Sequence, residues 1–405
     1  MTYEDMQGKT YANTTYDVIV VGARCTGAPL AMLLARAGHR VLVLDRAVFP
    51  SDTLSTHWVL APGVRLLREW GLLDAVVASG CPPVDRVWLD AEGLVLSGAP
   101  ETVTYAPRRQ VLDALLVDAA RAAGAEVREG VAVRDLLWSE GRVAGVAGRD
   151  ARGRQVRFEA RMVVGADGRN STVARCADAE PTVDLGALAA TAYGYWADVP
   201  VCGAEIRIRE GLGLSMWPTH DGLTTVAVTL PRSVYGRGGA RETFAAALAR
   251  VPEVRDRLTA GRAVGAVHGA QNLRNYFRRA WGPGWALAGD AGHHKDPIGA
   301  RGISDAFTDA AGLFRALDDV LTSRLPEERA LERFRARRDT GRAAAFAFVC
   351  RQAELGPLDD PFLARLREAA GDSLATRELL GVFTGERPLE EYLSAARDSG
   401  TVSAG

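Results

Sequence analysis

The chain has 405 residues, and its 49 basic and 50 acidic residues leave a formal net charge of −1. This length allows two or three packed units with a large buried core, and the balanced charge gives no reason to expect binding to nucleic acid or to an anionic membrane. The five cysteines are far apart and include no Cys-x-x-Cys pair, which argues against a disulfide framework and against a zinc site. They are Cys25, Cys81, Cys176, Cys202 and Cys350.

The N-terminal residues are polar and lack the apolar stretch of a signal peptide. No apolar run reaches the roughly 18 residues that are needed to span a bilayer, because arginines interrupt the most hydrophobic stretch. The composition therefore predicts a cytoplasmic protein that does not associate with membranes.

The first ordered segment has the pattern of a β-α-β unit. Tyr16–Val21 reads YDVIVV, which is typical of a buried parallel strand. A helix is predicted over 28–37, with Gly38 as its stop, and a second strand over Val41–Leu44 is closed by Asp45. We expect the crossover between the two strands to be right-handed.

The rest of the chain alternates between strands and helices before it becomes helical. Residues 86–105 have the pattern of a hairpin around a Glu-Gly turn, and a helix is predicted over 110–123. From about 186 to 275, apolar and polar residues alternate as in an antiparallel sheet with one covered face. Beyond residue 305 the pattern is helical, and we expect the charged helix over 327–342 to be solvated or to contact a second subunit.

The turn after the first strand is the first candidate ligand site. It reads GARCTG over 22–27, and Asp45 ends the next strand. Glycine permits a tight turn, the helix N-terminus offers N–H groups to a pyrophosphate, and an acid at this strand end can bind a ribose hydroxyl. Arg24 stands where such turns have a middle glycine, so we expect it to displace a pyrophosphate outward or to meet it with its charge. An ordinary turn without a ligand is the alternative.

Two further glycine-rich segments follow buried strands. The first reads VVGADGRNS over 163–171 and brings Asp167 into a turn, although a plain Asp-Gly turn has the same pattern. The second reads GDAGH over 289–293 and PIGARGIS over 297–304. Here Asp290 can bind a ligand hydroxyl, and the turn lets N–H groups at the start of the next helix approach an electron-rich ring.

In this order, the three motifs resemble those of single-component FAD monooxygenases of the p-hydroxybenzoate hydroxylase type, within a wider group that includes prenyl reductases and flavin-dependent halogenases. The resemblance covers the chain from Tyr16 to about Asp309. It implies that the first turn and the end of the second strand hold the ADP half of FAD. The Asp-Gly motif at Asp167 would serve both FAD and the nicotinamide cofactor, and the third motif would serve the flavin half. The cofactor-binding residues expected on this basis are Gly22, Cys25, Thr26, Gly27, Asp45, Arg46, Arg109, Asp167, Asp290, Pro297, Gly302 and Ile303.

The resemblance also implies an architecture. It predicts an α/β fold with a doubly wound, Rossmann-like FAD-binding domain, an inserted, mostly antiparallel β-sheet substrate domain and a helical C-terminal segment. The expected boundaries are 16–182 with 276–340 for the FAD-binding domain, 183–275 for the substrate domain and 341–405 for the C-terminal segment. Alternation allows only about half of the substrate-pocket candidates to face the pocket. These candidates are Tyr193, Tyr195, Arg207, Met216 and Trp217.

The reaction implied by the resemblance is hydroxylation of an aromatic or otherwise activated small organic substrate. NAD(P)H would reduce a non-covalently bound FAD, and O2 would add at flavin C4a to give a hydroperoxide that transfers one oxygen atom. The sequence names no catalytic acid or base, and no metal ion is expected. Both a monomer and a homodimer remain open.

Several residues near the motifs depart from the family pattern or allow two interpretations. Ser304 stands where the family often has asparagine, and Ser55 and His57 occupy a loop where many relatives have a phosphate-binding arginine. His57 would then bind the cofactor phosphate or cap the loop. We expect His293 to be structural and His220 to be an exposed turn residue.

Three alternative functions remain open. A prenyl or alkene reductase shares the FAD motifs, and rapid reaction of the reduced enzyme with O2 would distinguish a monooxygenase from it. A halogenase is less favoured because the Trp-x-Trp-x-Ile-Pro sequence of that class is absent. The third alternative is a flavoprotein that binds FAD for structure or sensing, which would show no NAD(P)H oxidation with any substrate.

Overall fold

The computed structural model describes residues 3–4, 10–11, 15–235, 239–358 and 360–387. Its centre is a mixed eight-stranded sheet in which Trp285–Leu287 pairs with Gln155–Gly165 and with Trp281–Gly282. The remaining path of this sheet runs, in spatial order, through Ala132–Ser139, Arg142–Arg149, Gln155–Gly165, Tyr16–Val21, Val41–Leu44 and Glu126–Arg128.

The parallel part of this sheet is buried on both faces. Tyr16–Val21 lies between Gln155–Gly165 and Val41–Leu44, and it is parallel to both. Alternate residues of these strands belong to two different cores, which explains their continuous apolar sequences. The predicted β-α-β unit is confirmed, with its helix at Gly27–Arg36.

Three helices supply most of the core on one face of the parallel strands: Gly27–Arg36, Arg109–Ala122 and Gly302–Leu321. The other face is covered by the antiparallel strands of the same sheet and by the short helix Thr172–Cys176. The carboxyl ends of the parallel strands therefore face a space between the two layers. Sheets of this kind bind ligands at the carboxyl ends of their strands.

A second, seven-stranded sheet lies beside the first. It is antiparallel except where Ala204–Arg209 runs parallel to Val87–Ala91. Two helices, Gly239–Ala249 and Pro252–Ala260, cover one face. Its order is Arg262–Ala270, Ala189–Ala197, Thr224–Pro231, Leu212–Pro218, Ala204–Arg209, Val87–Ala91 and Leu94–Gly98. The hairpin predicted over 86–105 is thus part of the sheet that sequence analysis built from 183–275 alone.

The other elements connect or flank these sheets. Further helices are Ala61–Glu69, Leu73–Ala78, Glu327–Glu354, Asp360–Ala370 and Ser373–Thr384, and 3-10 turns occupy His220–Gly222, Arg232–Val234, Gly289–Ala291 and Pro297–Gly299. Small sheets are formed by Tyr3–Glu4 with Thr10–Tyr11, by Pro83–Val84 with Thr104–Tyr105, and by Pro181–Ala187 with Arg274–Arg278 and His293–His294. None of the helices in the described part of the chain is long and apolar enough to cross a membrane.

One sequence prediction is wrong and another is incomplete. The helix Glu327–Glu354 has exposed charged side chains, as expected, but Arg342 is buried and its guanidinium lies 2.7 Å from the Asp309 carboxylate. A contact of this helix with a second subunit stays a prediction. His220 is not exposed: its Nδ1 accepts a hydrogen bond from the Arg108 backbone N–H at 3.1 Å, and its Nε2 lies 2.9 Å from the Ser79 hydroxyl.

Candidate functional site

A cleft of about 520 Å³ lies at the carboxyl ends of the parallel strands. All three glycine-rich motifs reach it, although they are separated by more than a hundred residues along the chain. Of the twelve residues proposed for the cofactor, eleven line this cofactor cleft. They are Gly22, Cys25, Thr26, Asp45, Arg46, Arg109, Asp167, Asp290, Pro297, Gly302 and Ile303.

The remaining candidate, Gly27, does not line the cleft, but the first turn depends on it. A Cβ at Gly27 would lie 1.8 Å from the carbonyl oxygen of Gly22, so only glycine allows the helix to start this close to the strand. Gly22 has a φ of +101°, and a Cβ there would lie 2.4 Å from the carbonyl oxygen of Ala166. The two glycines therefore permit the turn, and Gly22 also permits close contact with the second motif.

Asp45 fixes the position of this turn. Its carboxylate accepts hydrogen bonds from the backbone N–H groups of Ala23 at 2.7 Å and Ala47 at 2.8 Å. Ionised carboxylate oxygens have further acceptor capacity, so Asp45 can still bind a ligand hydroxyl in the cleft that it lines.

Arg24, which replaces the middle glycine, is held by a buried carboxylate. Its guanidinium lies 2.5 Å from Asp113, which is completely buried, and 3.0 Å from the Ser51 hydroxyl. Arg109 lies 3.0 Å from the same carboxylate, and the Cys25 thiol lies 3.4 Å from it. Two guanidinium groups thus share one carboxylate at the edge of the cleft, which leaves this group with a net charge of +1.

Asp167 organises the second motif. Its carboxylate accepts hydrogen bonds from the Ser171 hydroxyl at 2.5 Å and from the Thr172 N–H at 2.6 Å, at the start of the helix Thr172–Cys176. Burial raises the pKa of Asp167 from its usual value, against these hydrogen bonds, which lower it.

The third motif begins with a left-handed turn at Gly289 that the helix Gly302–Leu321 supports. Gly289 has a φ of +60°, and its N–H donates to the Asp309 carboxylate at 2.8 Å. Arg342 in turn pairs with Asp309. Asp290 lines the cleft, and no donor among the described residues hydrogen-bonds to its carboxylate. Its backbone carbonyl accepts a hydrogen bond from the Tyr276 hydroxyl at 2.6 Å.

The helix Gly302–Leu321 starts at the cleft. A Cβ at Gly302 would meet no atom within 4 Å, and Gly302 is not among the glycines with positive φ. The preceding Ala300 is left-handed, with a φ of 50°. Ser304, which departs from the family pattern, accepts a hydrogen bond from the Leu60 N–H at 3.0 Å. It therefore ties this helix to the chain before Ala61–Glu69.

Sequence reasoning missed two buried charged residues in this loop. Lys295 lines the cleft and is paired with Asp305. The side chain of Asp296 accepts a hydrogen bond from the Ile298 N–H at 3.0 Å, but its second oxygen is buried without a partner. Burial raises the pKa of Asp296 to about 6. The signal in the sequence was the Lys-Asp pair inside a glycine- and proline-rich turn.

His57 does not line the cleft. It is completely buried, with a φ of 61°, and its Nε2 lies 2.5 Å from the Tyr195 hydroxyl. Burial lowers the pKa of His57 to about 3, so the ring is neutral near pH 7. His293 is also buried, and its ring packs against Phe277 at 4.3 Å between centroids, which agrees with a structural role.

A second cavity of about 710 Å³ adjoins the cofactor cleft. We call it the inner cavity. Four residues line both spaces: Thr56, Thr191, Ala227 and Pro297. Most of the other lining side chains are apolar or aromatic, among them Trp58, Ile206, Trp217, Phe348, Phe362 and Phe383. The Trp58 and Trp217 rings are stacked, with centroids 5.8 Å apart.

Strand alternation separates the substrate-pocket candidates. Trp217 lines the inner cavity and Tyr193 lines the cofactor cleft, whereas Met216 points into the core beneath Gly239–Ala249. Tyr195 is on the same face of its strand as Tyr193, but it packs against His57 and lines neither space.

Arg207, the fifth candidate, is on the wall of the inner cavity, but its guanidinium is engaged elsewhere. It lies 3.1 Å from Glu205 and 4.5 Å from the centre of the Trp88 ring. The described residues contain no group of three or more His, Cys, Asp or Glu side chains that could hold a metal ion.

The parallel strands end at a glycine-lined cleft, and the antiparallel sheet beside them has its own cavity. This arrangement defines an FAD-dependent oxidoreductase of the Rossmann type. The chain belongs to the FAD binding domain family, whose pattern matches residues 15–348. FAD is therefore its cofactor.

Similar proteins include both oxygenases and reductases. The chain is 30% identical over 348 residues to 6-methylpretetramide 4-monooxygenase of Streptomyces rimosus, with 80% of each chain covered. It is 28% identical over 304 residues to digeranylgeranylglycerophospholipid reductase of Methanocella arvoryzae, which covers 72% of this chain and 75% of that protein.

Among solved structures, a flavoprotein/dehydrogenase from Cytophaga hutchinsonii has a TM-score of 0.79 at 20% identity, covering 92% of this chain and 93% of that one. The myxobacterial chondrochloren halogenase CndH has a TM-score of 0.74 at 24% identity, covering 91% and 92%. These two likenesses show a shared fold.

Proposed function

We propose that this protein is a monooxygenase that uses NAD(P)H and O2 to hydroxylate an aromatic or otherwise activated organic molecule bound in the inner cavity. The observation that carries this proposal is the common wall of the two spaces, formed by Thr56, Thr191, Ala227 and Pro297. Because the two spaces adjoin along this wall, a substrate in the inner cavity would lie next to a flavin ring in the cleft. The monooxygenase of Streptomyces rimosus named above is the relative whose activity agrees with it.

The residues that line the cleft fit FAD. We assign the first turn, with Gly22, Cys25 and Thr26, to the pyrophosphate, because the helix Gly27–Arg36 presents its N-terminus there. Asp45 and Arg46 would serve the ADP ribose end. The net positive charge of Arg24, Arg109 and Asp113 would then lie beside the phosphates and balance part of their charge.

Asp290 and the start of the helix Gly302–Leu321 are assigned to the flavin half. The Asp290 carboxylate is free to accept a hydrogen bond from a hydroxyl of the ribityl chain. At Gly302 and Ile303 the open space lets backbone N–H groups approach the ring, where the helix dipole stabilises negative charge. Asp167 and Pro297 complete this part of the cleft.

FAD, when bound, supplies the chemistry of hydride acceptance and oxygen activation. The protein's own contribution is to orient the substrate and exclude water. The stacked rings of Trp58 and Trp217 form an apolar surface for a flat substrate. Phe348, Phe362 and Phe383 help to keep that surface dry.

The domain boundaries are part of the same proposal. Residues 16–182 and 276–340 would bind FAD, 183–275 would bind substrate, and the C-terminal segment from 341 would complete the inner cavity. Phe348, Phe362 and Phe383 support this last role because they line the cavity opposite the sheet. The hairpin Val87–Gly98 extends the substrate sheet from within the first segment.

A prenyl or alkene reductase is the second candidate, because the archaeal reductase named above is a relative and an apolar cavity also suits a prenyl chain. The two candidates differ in their need for oxygen. Purified holoprotein would be assayed for NAD(P)H oxidation with a panel of phenolic polycyclic compounds and with geranylgeraniol, in air and under nitrogen. The proposal predicts turnover with a phenolic compound in air only. Turnover of the prenol under nitrogen would support the reductase, and no turnover would support a non-catalytic flavoprotein.

A further inference from the structure

A third space, which we call the outer cavity, continues the inner cavity away from the cofactor cleft. It measures about 770 Å³ and is lined by Glu92, Arg209, Glu210, Gly211, Leu212, Arg250, Pro357, Leu358 and Leu363. Three of these residues, Arg209, Pro357 and Leu358, also line the inner cavity. No lining residue of the outer cavity belongs to the cofactor cleft. The three spaces therefore form a series, with the inner cavity in the middle.

The outer cavity has a different chemistry from the inner one. Glu92, Glu210 and Arg250 are exposed at the surface. The guanidinium of Arg209 is paired with Asp90 at 2.6 Å, and that of Arg250 donates to the backbone carbonyls of Gly211 and Glu210 at 2.8 and 2.6 Å. Two carboxylates and two guanidinium groups line the space, and because Asp90 neutralises Arg209, the wall has a small excess of negative charge.

We propose that the outer cavity is a second substrate subsite, and that the substrate is elongated and amphiphilic. Its aromatic part fills the inner cavity, and a neutral group rich in hydroxyls or amides, such as a sugar, occupies the outer cavity. Leu358 is one of the three residues that line both cavities. This inference rests on the proposed function, because it takes the inner cavity as the place of the reacting ring.

The size and polarity of the two cavities are the reason to expect an elongated substrate with one polar end. Pockets for drug-sized ligands measure roughly 300–1,000 Å³, and each of the two cavities falls in the upper part of that range by itself. A small phenol would leave most of this space to water. The carboxylates and guanidinium groups of the outer wall favour a group rich in hydroxyls or amides, because they can accept hydrogen bonds from it and donate hydrogen bonds to it. The excess of negative charge disfavours an anionic group.

The test compares 4-methylumbelliferone with its β-D-glucoside, which has the same aromatic core and a neutral polar extension. Binding to the FAD-loaded protein is measured by calorimetry. The proposal predicts that the glucoside binds about tenfold more tightly or better, which corresponds to roughly 1.4 kcal/mol. A glucoside that binds no more tightly than the core overturns the proposal.

Substitution on the outer wall locates the effect. Leu363 lines the outer cavity and not the inner one. Leu363→Trp should therefore weaken the glucoside about tenfold and leave the core nearly unchanged. Leu374→Trp is the matched control, because Leu374 is 59% exposed and lines neither cavity. Equal weakening of both ligands by Leu363→Trp contradicts the proposal. Should this variant fail to fold, Glu210→Ala removes an exposed carboxylate from the outer wall alone, and it should weaken the glucoside and not the core; an unchanged ratio of the two affinities counts against the proposal.

The outcomes separate the two proposals. If the core binds and the glucoside does not, the outer subsite is wrong and the inner cavity stands. If neither probe binds to FAD-loaded protein, the inner cavity is not the binding site of the aromatic ring, and the proposal of an outer subsite is wrong as well. The assay of NAD(P)H oxidation described above tests the reaction independently of either probe.

Discussion

The Arg24 guanidinium lies 2.5 Å from the Asp113 carboxylate, which is completely buried on the helix Arg109–Ala122. Arg24 occupies the position of the middle glycine in the first turn, where a side chain was expected to displace the pyrophosphate or to meet it with its charge. The ion pair anchors the side chain at the edge of the cleft, and under the proposed assignment its charge would lie beside the pyrophosphate. Arg109 shares the same carboxylate at 3.0 Å, so Asp113 holds two cations in place.

Asp113→Asn should destabilise the protein strongly. Removal of one partner from a buried ion pair costs roughly 3–5 kcal/mol, because the remaining charges lose their compensation. Asp118→Asn is the control on the same helix, since the Asp118 side chain is 72% exposed and its ion pair with Arg121 is worth about 0–1 kcal/mol. Urea unfolding of both variants measures the difference. Equal stability of the two would show that Asp113 does not hold Arg24 and Arg109.

Asp290→Ala should release FAD while the fold survives. A charge-assisted hydrogen bond to a ribityl hydroxyl is worth roughly 1.5–3 kcal/mol, so the Kd for FAD should rise by about one to two orders of magnitude. Acid precipitation, which releases non-covalent FAD, gives the occupancy, and fluorescence titration gives the Kd. Asp85→Ala is the control because Asp85 is exposed and outside the cleft. An unchanged Kd would remove Asp290 from the site.

Gly302→Val tests whether the cleft is open where the helix Gly302–Leu321 begins. The backbone conformation of Gly302 is open to any residue, and its Cβ would meet no atom within 4 Å, so the protein should fold. The valine side chain would instead occupy space assigned to the flavin ring, and FAD occupancy should drop several-fold. Gly341→Val is the matched control, because a Cβ there also meets nothing within 4 Å and Gly341 does not line the cleft. Equal occupancy in both variants would place the ring elsewhere.

Asp296 should make stability depend on pH. Burial raises its pKa to about 6 in the folded protein, above roughly 3.9 in the unfolded chain. The folded state therefore binds the proton more tightly, so this carboxyl stabilises the protein fully below about pH 4, and that contribution is lost as the pH rises through 6. Two pKa units correspond to about 3 kcal/mol.

The comparison is between wild type and Asp296→Asn, with unfolding free energies measured at pH 4 and pH 8. Relative to wild type, the variant should gain about 2–3 kcal/mol between these two values. Asp256→Asn, at a carboxylate that is 69% exposed, should show no such gain. A constant difference between Asp296→Asn and wild type across the range would mean that Asp296 titrates normally.

The sequence predicted the parts of the site that depend on local geometry. The turns at Gly22 and Gly289 need backbone conformations or close contacts that only glycine allows. A few consecutive residues are therefore enough to identify such a turn in the sequence. The strands before them are buried on both faces and have the matching apolar pattern. The fold class and the three motifs could therefore be predicted together.

Long-range partners could not be predicted. Asp113 is 89 residues from Arg24, and nothing in the local sequence relates the two. The burial of His220 depends on contacts with Ser79 and Arg108, and the hairpin Val87–Gly98 pairs with a strand more than a hundred residues later. In each case the tertiary arrangement, and not the local pattern, decides the environment.

Strand alternation was a partial guide to the substrate pocket. It correctly required that neighbours face opposite sides, and Trp217 and Met216 do so. The strand pattern did not indicate which face of the sheet is covered by the helices Gly239–Ala249 and Pro252–Ala260. Arg207 shows a further limit, because its long side chain turns from the wall to Glu205 and Trp88.

The most direct test of the central claim is oxygen labelling. Holoprotein, NAD(P)H and the phenolic compound that best stimulates NAD(P)H oxidation would be incubated under 18O2, and the product analysed by mass spectrometry. The account predicts a product that carries one 18O atom and whose formation depends on bound FAD. A product without 18O, or one that gains two hydrogens under nitrogen, would contradict the assignment of this protein as a monooxygenase.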